Sequence, residues 1–254
     1  MESRRENAAQ HENACARVAT QFRRPWLRSY VRNKLRSDRI YPEAYDLLGH
    51  SGEPILDVGC GVGLLAFYFR ERDGAQPIVG LDLDARKIDC GAEIATRAYR
   101  DVELRFQDVE AALPDFRGNV VLFDVLHYLS PRGQTALLTR LAERVAPGGF
   151  LIIRDSLREM RPRYWITWLA EKFAQTISWN VNRALHFPSR ASIDDIFDGR
   201  EFEGTSRPLW GASPFNNHIF IFRRRVAATV PVPAERSENP SRLTQLASVP
   251  GIAD

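Results

Sequence analysis

From Pro54 onward, short apolar runs alternate with longer stretches of helical pattern. Ile55–Val58, Ile78–Leu83, Val102–Phe106, Val120–Phe123 and Phe150–Ile153 read as five strands, with helices expected at Leu64–Glu71, Ala85–Tyr99 and Gln134–Val145. Two strands joined by a helix run parallel, because a parallel crossover needs about a dozen residues or more. The alternation therefore predicts βαβ units and an α/β doubly wound sheet. Val120–Phe123 is apolar throughout, as suits a strand covered on both faces. After the fifth strand the alternation stops. Residues 157–190 are expected as a helical insert, and Ser192–Phe197 as a short helix capped by Ser192. Residues 201–210 and 217–224 read as two strands joined through Gly211–Asn217, hence as an antiparallel pair. The sum is a mostly parallel seven-stranded sheet.

What surrounds this core is less regular. Residues 1–14 are polar and expected as a frayed, disordered terminus. Residues 15–48 read as helices, with Val18, Phe22, Trp26, Leu27 and Tyr30 at helical spacing and a break at Tyr41-Pro42 before Glu43–Leu48. One domain is expected over 15–225. Residues 226–254, rich in Ala, Val, Pro and Ser, are expected as a disordered tail. Residues 1–40 hold ten Arg/Lys against four Asp/Glu, although the whole chain carries only +3. Such an arm is either a solvated basic helix or a contact for an acidic partner or an anionic membrane. Three cysteines without a CxxC pair support neither a disulfide framework nor a metal site, and point to a reducing cytosol. The charged N-terminus excludes a secretory signal, and the longest apolar run, around Ile55–Phe69, is too short to span a bilayer.

The residues that carry chemistry stand at the ends of the expected strands. Asp57-Val58-Gly59-Cys60-Gly61-Val62-Gly63 lies between the first strand and its helix. Glycines let the backbone turn tightly and approach a ligand closely. The spacing is G-x-G-x-G, whereas NAD-binding loops use G-x-G-x-x-G. The acidic Asp57 suits a ligand bearing an ammonium group. Asp82 with Leu83 ends the second strand, where a carboxylate can accept ribose hydroxyls. Asp84 reads as a cap for the next helix. Asp108 and Val109 follow the third strand, within reach of an adenine amino group. Asp124 ends the fourth strand, either as a ligand group or as a brace for its loop. His127 follows it, either as an acid or base or as a structural histidine. Ala146-Pro147-Gly148-Gly149 turns into the fifth strand.

In order and spacing, these stretches resemble the motifs of class I S-adenosylmethionine-dependent methyltransferases of the small-molecule type, over about residues 43–155. The closing strand pair at 201–224 agrees with that family's reversed sheet end. The resemblance implies a Rossmann-like fold and S-adenosylmethionine as cofactor. It also implies that Asp57, Gly59, Gly61 and Gly63 frame the methionine and ribose, that Asp82 binds ribose, and that Asp108 lies by adenine; Cys60, within the same cofactor loop, reads as a small packing residue. Tyr30–Pro42 and the run around His127 resemble, more loosely, methyltransferases of bacterial aryl-polyene pigment clusters.

The acceptor side is read from weaker signals. No Asn-Pro-Pro-Tyr-type motif follows the fourth strand, which argues against methylation of DNA base amines. Trp165, Trp168, Trp179 and Phe173 make 157–190 an expected aromatic cover for a small, apolar or aromatic acceptor methylated at oxygen or carbon, or else a membrane contact. A cofactor-binding regulator or partner subunit without catalysis is the main rival. An RNA methyltransferase and an NAD-dependent oxidoreductase fit less well. Because residues 226–254 offer no periodic apolar face, their removal is expected to leave the melting temperature and S-adenosylhomocysteine affinity unchanged, as calorimetry would show.

Overall fold

The computed structural model describes residues 2–158, 185–197, 201–210 and 216–226. Seven strands form one sheet: β1 (Ile55–Val58), β2 (Ile78–Asp82), β3 (Val102–Phe106), β4 (Asn119–Phe123), β5 (Phe150–Ser156), β6 (Phe202–Pro208) and β7 (Asn217–Arg224). Their order is β3-β2-β1-β4-β5-β7-β6. The first five run parallel, while β7 is antiparallel to both β5 and β6. The expected doubly wound, Rossmann-like sheet with its reversed end is therefore present. Strand order reverses between β2-β1 and β4, which opens a crevice at the carboxyl ends of the strands.

Helices cover both faces. On one side lie α1 (Glu2–Thr20), α2 (Pro25–Ser37), α3 (Ile40–Leu48), α4 (Leu64–Arg70) and α5 (Ala85–Ala98), packed over Ile55, Val121, Ile152 and Ile219. On the other lie α6 (Pro131–Ala142) and α7 (Arg190–Phe197), packed over Leu56, Leu122, Ile153 and Phe220. Alternate residues of each strand feed the two layers, as the pleat requires. No helix of the described residues is long and apolar enough to cross a membrane.

Several boundaries differ from expectation for local reasons. α6 starts three residues before Gln134, because the Ser130 hydroxyl accepts from Gly133 N–H (3.1 Å) and Pro131 occupies the first turn, where no amide donor is needed. α3 starts at Ile40 and runs through Pro42, which likewise sits in a first turn. α7 starts before Ser192. Its cap is Ser189, whose hydroxyl accepts from Ser192 N–H (3.1 Å). Of the expected insert at 157–190, residues 159–184 lie outside the described residues, as do 227–254 of the tail.

The N-terminus departs most. The expected frayed segment 1–14 is helical from Glu2, as part of α1. Polarity alone misleads here because a few contacts suffice to dock the helix. Ala14, Cys15 and Val18 are buried, His11 Nδ1 lies 2.8 Å from the Tyr68 hydroxyl, and Arg72 donates to Asn7 Oδ1 (2.7 Å). The helical stripe also breaks. Val18 and Phe22 are buried, whereas Trp26 and Tyr30 of α2 are exposed. Deleting residues 1–14 is expected to cost about 2 kcal/mol, lowering the melting temperature by about 4–8 °C in a thermal scan.

Candidate functional site

A cavity of about 640 Å³ opens at the carboxyl edge of β1, β2 and β4, under α2. Its position follows from chain reversal at the crevice, and its shape follows from the loop after β1. Gly59, Gly61 and Gly63 all have left-handed backbones (φ 80°, 59° and 83°). At Gly59 a Cβ would stand 2.2 Å from Val125 Cγ2, so any side chain would drive the loop off the end of β4. Gly59 and Cys60 N–H groups donate to Leu81 O (2.7 and 3.0 Å), which ties the loop to β2.

Asp82 completes this anchoring. Its Oδ2 accepts from Gly61 N–H and its Oδ1 from Asp84 N–H, both at 2.8 Å. Asp84 caps α5 by accepting from Arg86 N–H (3.0 Å), as expected. Asp57 is buried at the cavity floor, and that burial, with the Asp82 charge, pushes its carboxyl up to about 7. Asp108 accepts from Glu110 N–H (2.9 Å) and lines the cavity with Leu83 and Val109. Of the sequence-derived cofactor residues, Asp57, Gly59, Cys60, Gly61, Asp82, Leu83, Asp108, Val109 and Asp124 meet at this one cavity. Gly63 is the exception. It sits at the start of α4, where a Cβ would meet Leu104 Cδ1 at 2.8 Å, so it serves helix packing against β3.

Opposite the loop, the wall comes from residues that strand-end motifs do not reveal. Trp26, Tyr30 and Lys34 reach the cavity from α2, Tyr41 from α3 and Arg154 from β5. Arg154 is buried and forms ion pairs through Nη2 with Asp124 Oδ2 (2.5 Å) and Asp38 Oδ2 (3.2 Å). Lys34 Nζ lies 2.8 Å from the same Asp38 oxygen. Burial would raise the Asp38 carboxyl, but the Arg154 and Lys34 charges outweigh it and hold the group at about 2. Asp124 has φ 57°, a conformation costing a residue with a side chain about 1 kcal/mol, and it places a partly exposed carboxylate at the cavity. Burial raises this carboxyl against the pull of Arg154. The signal for this cluster lay in Lys34 and Asp38 at helical i, i+4 spacing.

His127 does not join the cavity with these groups. It is buried beside it, its Nδ1 2.7 Å from Asp155 Oδ1 and its ring stacked on Phe187 at 5.4 Å. Tyr128, one residue on, lines the cavity instead. Arg154 and Asp155 are neighbours in β5 but take different partners. Consecutive strand residues point to opposite faces, so Arg154 turns to Asp124 and Asp155 to His127.

The comparisons with known proteins come down on the same side. A family model described as a methyltransferase domain matches residues 27–207, and the chain belongs to that family. The ribosomal protein L11 methyltransferase of Burkholderia vietnamiensis (strain G4 / LMG 22486) is 32% identical over 106 residues, which are 42% of this chain and 33% of the relative. The ubiquinone biosynthesis O-methyltransferase of Bradyrhizobium sp. (strain ORS 278) is 35% identical over 104 residues, 41% of this chain and 40% of the relative. The matched stretch thus spans about a third of the L11 methyltransferases' length. Solved structures show the same fold. Magnesium protoporphyrin IX methyltransferase from Synechocystis PCC 6803 has a TM-score of 0.57 at 16% identity, covering 80% of this chain and 89% of that one. Geranyl diphosphate C-methyltransferase from Streptomyces coelicolor A3(2) has 0.58 at 16%, covering 78% and 83%. The [4+2]-cyclase SpnF has 0.56 at 17%, covering 74% and 81%.

Replacing Asp38 by Asn leaves the buried Arg154 and the partly exposed Lys34 short of a counter-charge. The variant is expected to lose about 3 kcal/mol of unfolding free energy in urea. Because the Asp38 carboxyl is depressed, its contribution is full above about pH 4 and fades as pH falls toward 2. The difference between the two proteins is therefore expected to shrink at acid pH.

Proposed function

We propose that the protein transfers a methyl group from S-adenosylmethionine to a small, apolar or aromatic acceptor, at oxygen or carbon. The observation that carries this reading is one cavity lined by two chemistries. The glycine loop, Asp57, Asp82 and Asp108 line it, and so do Tyr30, Tyr41, Phe123 and Tyr128, beside the charged Lys34, Asp124 and Arg154. We take the first group as its polar end and the aromatic residues as the other end.

The polar end fits the cofactor. Gly61, where a side chain would project into open space, lets the backbone approach it, and Asp57, raised by burial and by the Asp82 charge, meets an ammonium group. Asp82 spends a lone pair of one oxygen on the glycine loop and a lone pair of the other on the turn into α5, which leaves acceptor capacity for ribose hydroxyls. Leu83, Val109 and Asp108 border the adenine. Bound there, the cofactor supplies an electrophilic methyl group on sulfur, and the chain's own work is to align the acceptor and exclude water. Where the acceptor must lose a proton, Asp124 is the group in place, oriented by Arg154. His127, held by Asp155 behind the wall, takes the supporting role of fixing the turn after β4.

The SpnF likeness favours one second reading: the same fold serves a protein described as a cyclase, so cofactor binding without methyl transfer is the alternative. We place the protein in the cytosol, on the strength of its three free thiols. Membrane contact through the basic N-terminal helices and the 157–190 segment would be peripheral.

Calorimetry tests the cofactor reading. S-adenosylhomocysteine is expected to bind and NAD to leave no heat; the reverse result sinks the proposal. Asp82→Ala should weaken binding about tenfold to a hundredfold in a folded protein. The raised Asp57 carboxyl sets the pH dependence. Below about 7 the free protein holds a proton there that an arriving ammonium must expel. Affinity is expected to rise by up to about tenfold per pH unit toward pH 7 and then level off. The same shift means that folding stability falls as pH rises between about 4 and 7. Asp57→Asn should flatten both profiles.

A further inference from the structure

On the other side of Trp26 lies a second hollow, of about 540 Å³. It forms where the end of α1 and the start of α2 cross one face of α5. That face recurs at Arg86/Lys87, Cys90, Glu93/Ile94 and Arg97, the spacing of a single helical stripe. The hollow shares Trp26, Val62, Asp84 and Lys87 with the cofactor cavity, so the two adjoin. The methyl transfer proposed above gives it no role.

Its floor and its rim differ in chemistry. Phe22, Leu27, Val62 and Ile94 make the floor apolar. The rim carries Arg23, Arg24, Arg86, Lys87 and Arg97 against the carboxylates of Asp84 and Glu93, among the described residues. Asp84 is engaged by Arg86 (2.8 Å), and one Glu93 oxygen serves both Arg23 (3.0 Å) and Arg97 (3.6 Å). The Arg24 charge reaches the Cys90 thiol at the side of the hollow. Five cationic groups thus stand over two carboxylates around a concave apolar surface. A solvated cationic face needs no such floor, and a purely apolar ligand needs no such rim. Guanidinium groups, with their planar forks of donors, suit phosphate and carboxylate oxygens. A volume in this range is that of a small-molecule pocket.

We propose that this hollow binds a single amphipathic anion: a hydrocarbon chain on the Phe22–Leu27–Ile94 floor, with a phosphate or carboxylate head at the Arg24–Arg97 rim. Chain and head are recognised together, neither alone being enough. The site stands on its own geometry and is independent of what is methylated next door.

Calorimetry of the full chain with decyl phosphate, kept below its micellar concentration, is the test. One saturable site is expected, with decanol and inorganic phosphate each binding at least about tenfold more weakly. Arg24→Glu, which reverses an exposed rim charge, should weaken binding on the order of tenfold. Cys90→Phe, which fills the side of the hollow, should abolish it. Thermal melts of both variants show that they fold, and a separate S-adenosylhomocysteine titration reads the neighbouring cavity, so loss there is not mistaken for loss here. Three results overturn the proposal: no saturable decyl phosphate binding; binding that both folded variants retain; or equal binding of decanol or inorganic phosphate. Capture of the protein by phosphatidylglycerol vesicles without binding of monomeric decyl phosphate also overturns it, and makes this face a membrane contact.

Discussion

The buried guanidinium of Arg154 holds together parts of the chain that are far apart in sequence. It rises from β5, meets Asp124 at the end of β4, and reaches Asp38 at the end of α2. A cation in this position is costly to bury and is tolerated only because two carboxylates surround it. The pairing explains why α2 lies over the crevice: its C-terminus is fastened to the sheet edge by charge, and Val31 and Leu35 are buried beneath it. The roof over the cavity, the strained backbone at Asp124 and the aromatic end of the cavity all follow from that fastening.

The glycine loop depends on a second, quieter constraint. Asp82 gives both carboxylate oxygens to backbone amides, one in the loop and one at the start of α5. The proposed cofactor site and the scaffold therefore share the same hydrogen bonds. The loop is shaped before a ligand arrives, which lowers the ordering cost of binding. The Asp57 carboxyl beneath it is raised to about 7 by burial and by the Asp82 charge, a shift that an ammonium group would reverse.

How much was legible in the sequence follows from range. β1 to β5 and their helices are read from local periodicity, and Asp57, Asp82 and Asp108 stand beside glycines or strand ends that mark them. Their gathering at one cavity needs only the rule that ligands sit at the carboxyl edge of such sheets. Asp124 was seen but its cluster was not, since Arg154 also draws in Asp38, more than a hundred residues before it in the chain. His127 was read by its place after β4. Which way its ring turns is decided by Asp155 and Phe187, neither of them near in sequence. The helix at 2–14 was missed for a similar reason: its docking partners, Tyr68 and Arg72, belong to α4 and the turn after it.

The antiparallel course of β7 has a practical consequence. Asn217 pairs with Ser156 at the cavity edge of the sheet, while Arg223 pairs with Phe150 at the opposite edge. Arg224 is then fastened beside Gly148 and Gly149, through hydrogen bonds of 2.9 Å in each direction. The strand carries the chain about 20 Å from the mouth of the cavity before residue 226 is reached. A surface linker or bulky label joined after that point starts on the far side of the sheet from the cavity, so immobilising the protein by this end would leave the ligand entrance turned toward solution.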